Sequence, residues 1–252
     1  MYSKTKCLLI SFCFVSIYSF CQNTFVPDDN FEQFLINQGY DTPPLDDNVL
    51  TANISGVQNI DCSGRGISDL TGIENFIALT NLDCSDNQLL SINVSQNTNL
   101  IELYCDTNQL TNLDVSNLPN LVRLWCFSNQ LTNLNVNQNP SLLSFRCENN
   151  FISNLDVSNN SNLNVFTCEQ NQITNLDVSN SPGLSRFQCG NNQLTSLNIS
   201  SNPNLSYLSC EQNQITNLNL LNNNRLNFLY CFNNQITALN LTNNPNLRDL
   251  NC

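Results

Sequence analysis

Ten cysteines recur along this 252-residue chain on a schedule, and a row of thiols is the first feature that could do chemistry. Cys84, Cys105, Cys126, Cys147, Cys168, Cys189, Cys210, Cys231 and Cys252 stand 21 residues apart, and Cys62 precedes them by 22. Such a row could hold zinc, form crosslinks or simply fill a core. Zinc favours cysteine pairs only two to four residues apart around a tetrahedron, and no such pair occurs. Equivalent cysteines of stacked coils would lie about 4.8 Å apart, within reach of a disulfide. Their side chains would point in parallel, however, which suits neither the Cβ approach nor the dihedral of that bond. The row therefore reads as buried free thiols acting as small core residues.

Other chemistries fare no better. The chain has no histidine, so the commonest general base and the imidazole metal ligand are both missing. Glu148 and Glu169 resemble the carboxylate pair of a glycosidase. Their places in successive repeats put them on a flat ladder, though, with no loop long enough to build a pocket. No G-x-S-x-G or phosphate-binding glycine loop is present among the seven glycines. Asp114, Asp156 and Asp177 would stack their oxygens, but six to eight calcium ligands are hard to assemble from single rungs. The expectation is a protein that is not an enzyme and uses no cofactor or metal.

The elements that position these residues follow from the same beat. Each unit reads L-x-x-L-x-C-x-x-N-x-L-T-x-L-x-V-x-x-x-x-x, with leucines from Leu79 to Leu247 and asparagines from Asn87 to Asn234 in register. In "LWC", Leu124 and Cys126 alternate with Trp125, the period of a strand with one buried face. In "LDV", Leu113 and Val115 alternate around Asp114 in the same way. Two short strands per coil predict a mainly β solenoid in which two parallel sheets enclose one core. The asparagine after the first strand suits a turn, its amide bonding to backbone groups exposed by the bend. Pro119, Pro140, Pro182, Pro203 and Pro245 mark the other corner.

This pattern resembles the leucine-rich repeat family, and more closely its bacterial 21-residue IRREKO type, over residues 57–252. "GISDLTGIENFIALTNLDC" resembles an internalin-type repeat that leads into the array. The resemblance implies that the LxC strand face is the ligand surface.

One coil could not fold alone. Five buried apolar side chains contribute roughly 1.5–3 kcal/mol each, whereas ordering a residue costs about 1.5 kcal/mol. Stacking must supply the difference, and stability becomes close to a sum over neighbours. Residues 22–56 read as an N-terminal cap over the first coil. There Asp28 or Asp29 starts a short helix, Phe31, Phe34 and Leu35 share a face, and Gly39 stops it. At Cys252 the array ends inside a strand, uncapped, which suggests a longer natural protein or a truncated gene. Residues 1–21 read as a signal peptide: positive "MYSKTK", apolar "CLLISFCFVSIYSF", and cleavage after Cys21. The apolar run is too short to span a membrane, which takes about 20 residues. The expected location is therefore outside the cytoplasm, secreted or at the cell surface.

The two outward faces differ. Around "LDV" the outward residues are almost all Asn, Asp, Ser or Thr, a solvated wall. Around "LxC" stand Tyr104, Trp125, Phe127, Tyr207, Phe228, Tyr230 and Phe232, with Arg123, Arg146 and Arg186 and the acids Glu102, Asp106, Glu148, Glu169 and Glu211. Exposed aromatics with arginine on a rigid sheet are the residues enriched at binding hot spots. The candidate ligand-binding face is Tyr104, Arg123, Trp125, Phe127, Arg146, Tyr207, Phe228, Tyr230 and Phe232. The partner expected is another protein. A surface glycan stacked on the rings is the alternative, and a structural spacer within a larger surface protein is a third. Nucleic acid is disfavoured: the chain carries a net −12, which becomes −14 if Lys4 and Lys6 leave with the signal segment.

Overall fold

The computed structural model describes residues 22–252, so the expected signal peptide lies outside the described residues. Ten three-residue strands, from β3 (Asn59–Asp61) to β12 (Asp249–Asn251), form a single parallel sheet in chain order. Each strand ends immediately before the repeat cysteine of its coil, as Arg123–Trp125 precedes Cys126. Pairing runs without a slip: Leu103 lies opposite Leu124, Tyr104 opposite Trp125, and Trp125 opposite Arg146. The chain is thus a parallel β-solenoid of stacked 21-residue coils.

Inside, equivalent residues stack on equivalent residues. The leucines that recur every 21 residues from Leu79 to Leu226 and the nine cysteines from Cys62 to Cys231 are buried. Where phenylalanine replaces the strand leucine, Phe145, Phe166 and Phe187 stack face to face at 5.4 and 5.5 Å between ring centres. A cysteine beside each ring is small enough to leave room for it. Burial pushes the thiols well above their usual range, Cys231 to about 11 and Cys62 to about 12. Several spend their S–H on the next coil, as Cys84 does on the Tyr104 carbonyl at 3.4 Å.

At the first corner the recurring asparagine does more than turn the chain. The Asn129 amide donates to the carbonyls of Cys105 and Cys126 at 3.0 and 3.1 Å, and its Oδ1 accepts the Leu110 N–H at 2.9 Å. One side chain thereby ties its own coil to the coil before it. The residue just before each asparagine is left-handed, with φ of 52–56° from Asp86 through Asn233, and none of these is glycine. For a β-branched residue such as Thr107 (φ 54°) that conformation is strained.

The second sheet expected from "LDV" does not form; the described residues contain only the ten-stranded sheet and a two-stranded one near the N-terminus. The alternation is still obeyed, with Leu113 and Val115 buried and Asp114 exposed. What differs is where the backbone bonds go. Asp114, Asp156 and Asp177 each turn Oδ1 back onto the N–H two residues on, Ser116, Ser158 and Ser179, at 2.9 Å. A donor used locally is not available for a ladder. At the second corner the prolines occupy exposed turn positions, as their spacing implies. Beside them a second asparagine row is buried, one that the sequence pattern did not reveal. Asn139 donates to the carbonyls of Val115 and Leu118 at 2.9 and 2.8 Å.

Before the array come β1 (Asn23–Phe25), α1 (Asp29–Asn37), β2 (Asn48–Leu50) and the short α2 (Thr51–Ile54), with β1 and β2 antiparallel. Helix α1 starts where Asp28 caps the N–H groups of Asn30 and Phe31. It buries Phe31, Phe34 and Leu35, and Gly39 follows at φ 78°. The other Asp28 oxygen accepts from Ser68 and Asp69, fastening the helix to the first coils. Burial pushes the Asp28 carboxyl up, but the bonds from Ser68, Phe31 and Asp69 outweigh it and hold it below the usual carboxylate range.

Two outcomes follow. Among the ten cysteines from Cys62 to Cys252, a thiol reagent should label only the exposed Cys252 rapidly in the native protein and all ten in denaturant. Rapid native labelling of the others would show that the sulfur row is not inside. Thr107→Gly should raise stability by about 1 kcal/mol in urea titration, because glycine adopts φ > 0 without the Cβ penalty.

Candidate functional site

The strand face carries two aromatic clusters separated by a depression. In the first, the lone tryptophan packs edge-on against Tyr104 at 4.8 Å, and the Arg146 guanidinium lies over the rings of Trp125 and Phe127 at 5.0 and 4.3 Å. Strand pairing dictates this group, since Tyr104, Trp125 and Arg146 hold the same place in three successive strands. The indole N–H of Trp125 donates to Ser144 Oγ at 3.2 Å. Arg123 pairs with Glu102, which also accepts the Tyr104 hydroxyl at 2.9 Å. Burial and that bond push the Tyr104 phenol up to about 12. Trp125 points away from the core, as its place between Leu124 and Cys126 requires, yet it is half-buried under Arg146 and Tyr104. Such ring and guanidinium contacts contribute about 0.5–1 kcal/mol each at a surface.

The second cluster is Tyr207 with Phe228 and Tyr230, ring centres 5.8 and 5.7 Å apart. Arg186 lies over Tyr207 at 4.1 Å, and the Tyr230 hydroxyl donates to Asp249 at 2.7 Å. Phe232 stands apart: it is half-buried and borders a separate cavity of about 230 Å³ with Ile236, Leu239 and Cys252. Eight of the nine candidate residues thus fall into two groups, and Arg186 joins them.

Between the clusters no ring stands on the strands, and a cavity of about 460 Å³ opens, lined by Trp125, Ser144, Arg146, Glu148, Val165, Thr167, Glu169, Arg186 and Gln188. Leucine and cysteine spacing says nothing of this hollow. Its trace in the sequence is the absence of aromatic residues at the outward strand positions of two successive coils, Val165 and Thr167, then Arg186 and Gln188. Arg146 pairs with Glu148, which also accepts the Thr167 hydroxyl at 2.5 Å. Glu169 accepts from Gln188 at 3.0 Å. Ser209 Oγ lies 2.7 Å from both Glu169 Oε1 and Glu211 Oε2 with one hydrogen to give. Glu211 reaches Ser209 at the edge of the hollow by lying against Gly190: a Cβ there would stand 2.7 Å from Glu211 Oε1. Burial pushes the Glu169 carboxyl up against the hydrogen bonds of Ser209 and Gln188, and Glu211 and Glu148 push it further. Asp106 rises to about 6, chiefly through burial.

In chemical terms the face offers aromatic rings, guanidinium groups lying over them, and carboxylates held by hydroxyls and amides. Glu148 and Glu169 are each occupied by these neighbours, so neither stands as a free acid or base across a cleft. Of the thiols, nine are buried beneath the sheet.

Comparison with known proteins places this arrangement. No family model matches the chain. Internalin J of Listeria monocytogenes is 38% identical over 76 residues, 30% of this chain and 8% of that protein. The solved functional domain of that species' internalin J, described as including a cysteine ladder, superposes with a TM-score of 0.84 at 38% identity, over 90% of this chain and 51% of that one. A leucine-rich repeat protein of Leptospira interrogans matches at 0.71 and 25% identity, over 79% and 57%. An internalin C2 structure from Listeria monocytogenes, at 22% identity and 0.70, shares the fold. The chain spans little more than half the length of the first two solved relatives and a small part of the full internalin J sequence.

The raised Asp106 carboxyl gives a pH test. A carboxyl whose folded pKa lies above its unfolded value favours the fold while protonated, and that contribution is lost as pH rises from about 4 through 6. Asp106→Asn should therefore melt higher than the parent at pH 8, by about 1–2 kcal/mol, with the difference vanishing below pH 4. Equal melting at both pH values would show that Asp106 ionises freely in solvent.

Proposed function

The chain is an internalin-like leucine-rich repeat protein, and from that premise we propose that it is a secreted or surface-displayed binding module whose ligand is another protein. The LxC strand face makes the contact. Trp125 with Tyr104, Phe127, Arg123 and Arg146 forms one anchor, and Tyr207, Phe228 and Tyr230 form the other. The observation that carries this reading is the pair of aromatic–arginine clusters gathered on one face of the solenoid. Rings fixed to a rigid sheet lose little entropy on binding, and aromatic and arginine side chains dominate the energetics of protein interfaces. The leucine-rich repeat relatives, internalins among them, support an interaction module rather than an enzyme.

Location outside the cytoplasm rests on the charge and apolar pattern of residues 1–21. No helix among the described residues is long and apolar enough to cross a membrane. The glycan alternative loses ground to one feature of the site. A sugar needs an open ring face, whereas Arg146 lies over Trp125 and Arg186 over Tyr207.

The double variant Trp125→Ala and Tyr230→Ala tests the reading. Against envelope proteins immobilised from the source organism's surroundings, it should lose binding at least a hundredfold while its melting temperature falls by only a few degrees. Retained binding would move the contact elsewhere, and a collapse in stability would assign these rings to structure.

A further inference from the structure

The two clusters lie four strand steps apart, from β6 (Arg123–Trp125) to β10 (Tyr207–Ser209), which is about 19 Å at the usual strand spacing. The hollow between them means that a flat partner would touch the anchors and leave a void; a convex one would fill it. Charge sets what that convex element carries. Among the described residues the only ion pairs are Arg123–Glu102 and Arg146–Glu148, so these two arginines are already neutralised. Arg186 is turned onto Tyr207 and bonds Gln188 through Nε at 2.6 Å. Among the described residues Glu169 and Glu211 have no ion-pair partner; they share the single hydroxyl hydrogen of Ser209, and Glu169 also accepts from the neutral amide of Gln188 at 3.0 Å. The face shares the sign of the chain, which carries a net −12.

We infer that the partner presents a basic ridge: lysine or arginine side chains that enter the hollow between Trp125 and Tyr207, flanked by apolar groups that meet the two aromatic clusters. This inference rests on the strand face being the binding surface. It adds the sign and shape of what that surface takes. An ammonium or guanidinium group supplies the charged donor that two carboxylates served only by a hydroxyl and a neutral amide lack, and such charge-assisted bonds are stronger than neutral ones. Opposite charge across the interface would also speed encounter and reject acidic partners.

Trp125 is the only tryptophan, so its emission reports on the hollow directly. The probe is the capped hexapeptide Leu-Lys-Lys-Lys-Lys-Leu, whose extended length of about 20 Å matches the span. Its controls carry serine or glutamate in place of the four lysines. The lysine peptide should shift Trp125 emission and bind at least tenfold tighter than the serine peptide, with the advantage shrinking in 0.5 M salt. Glu169→Gln with Glu211→Gln should remove that advantage. Asp114→Asn, Asp156→Asn and Asp177→Asn, which delete three charges from the other arm of the coils, should preserve it. Gly190→Ala, which forces the Glu211 carboxylate aside, should weaken the lysine peptide without loss of fold.

Equal binding of the serine and lysine peptides, lost with Trp125→Ala, would overturn the basic ridge and leave the binding face standing. An equal loss in the Asp114, Asp156 and Asp177 variant would show attraction to net charge alone and overturn it too. No response of Trp125 to the lysine peptide overturns the inference outright.

Discussion

At the end of each regular strand an asparagine amide spans two coils, donating to successive cysteine carbonyls and accepting an N–H from the coil before. Remove that group and a buried donor and acceptor lose their partners at once, a cost of about 1–3 kcal/mol per group left bare. The bond also fixes geometry. Because each asparagine holds a set offset of 21 residues, no strand can slip by one, and a slip by one would exchange every buried residue for its outward neighbour. The placement of the cysteine sulfurs inside and of Tyr104, Trp125, Tyr207 and Tyr230 on the outward face depends on the register that this repeated contact holds.

The rest of the architecture follows from what that contact leaves undone. It binds the coils along one edge, where the strands pair. On the opposite arm the asparagine and aspartate side chains satisfy the backbone locally, as Asp156 does with Ser158. One arm is therefore a continuous hydrogen-bonded sheet, and the other a stack held by packing of Leu, Val and Ile and by the second row of buried asparagines, as Asn139 bonds the coil before it. A sheet whose strands cannot shift is the better platform for rings that must keep fixed distances, and that is the arm on which the rings are found. The cysteine serves the same end: a residue larger than a thiol would crowd Phe145, Phe166 and Phe187 in the core beneath the hollow.

Much of this was legible in the residues. The 21-residue beat gave the solenoid, the alternation in "LWC" gave the direction of Leu124, Trp125 and Cys126, and Phe31, Phe34 and Leu35 gave helix α1. The second sheet was misread because Leu113, Asp114 and Val115 alternate as a strand would. Alternation reports which side chains are buried and is silent on where backbone donors go. The left-handed turns escaped because Asp86, Thr107 and Gln170 stand where glycine would have announced them. In the site, strand register gathers Tyr104, Trp125 and Arg146 in a way the spacing allows one to foresee. The half-burial of Trp125, the separation of Phe232 and the hollow around Glu169 depend on side-chain reach, which spacing does not encode.

Hydrogen exchange on the native protein measures the central contact directly. The N–H groups of Leu110, Leu131, Ile152, Ile173 and Leu194 each bond to an asparagine side chain of the next coil at 2.9 Å. If that amide fixes the register, these five should exchange only with the strand amides, at one common rate set by cooperative unfolding of the array. Fast exchange at these positions while the strand amides stay protected would mean that the coils are held in register by something else.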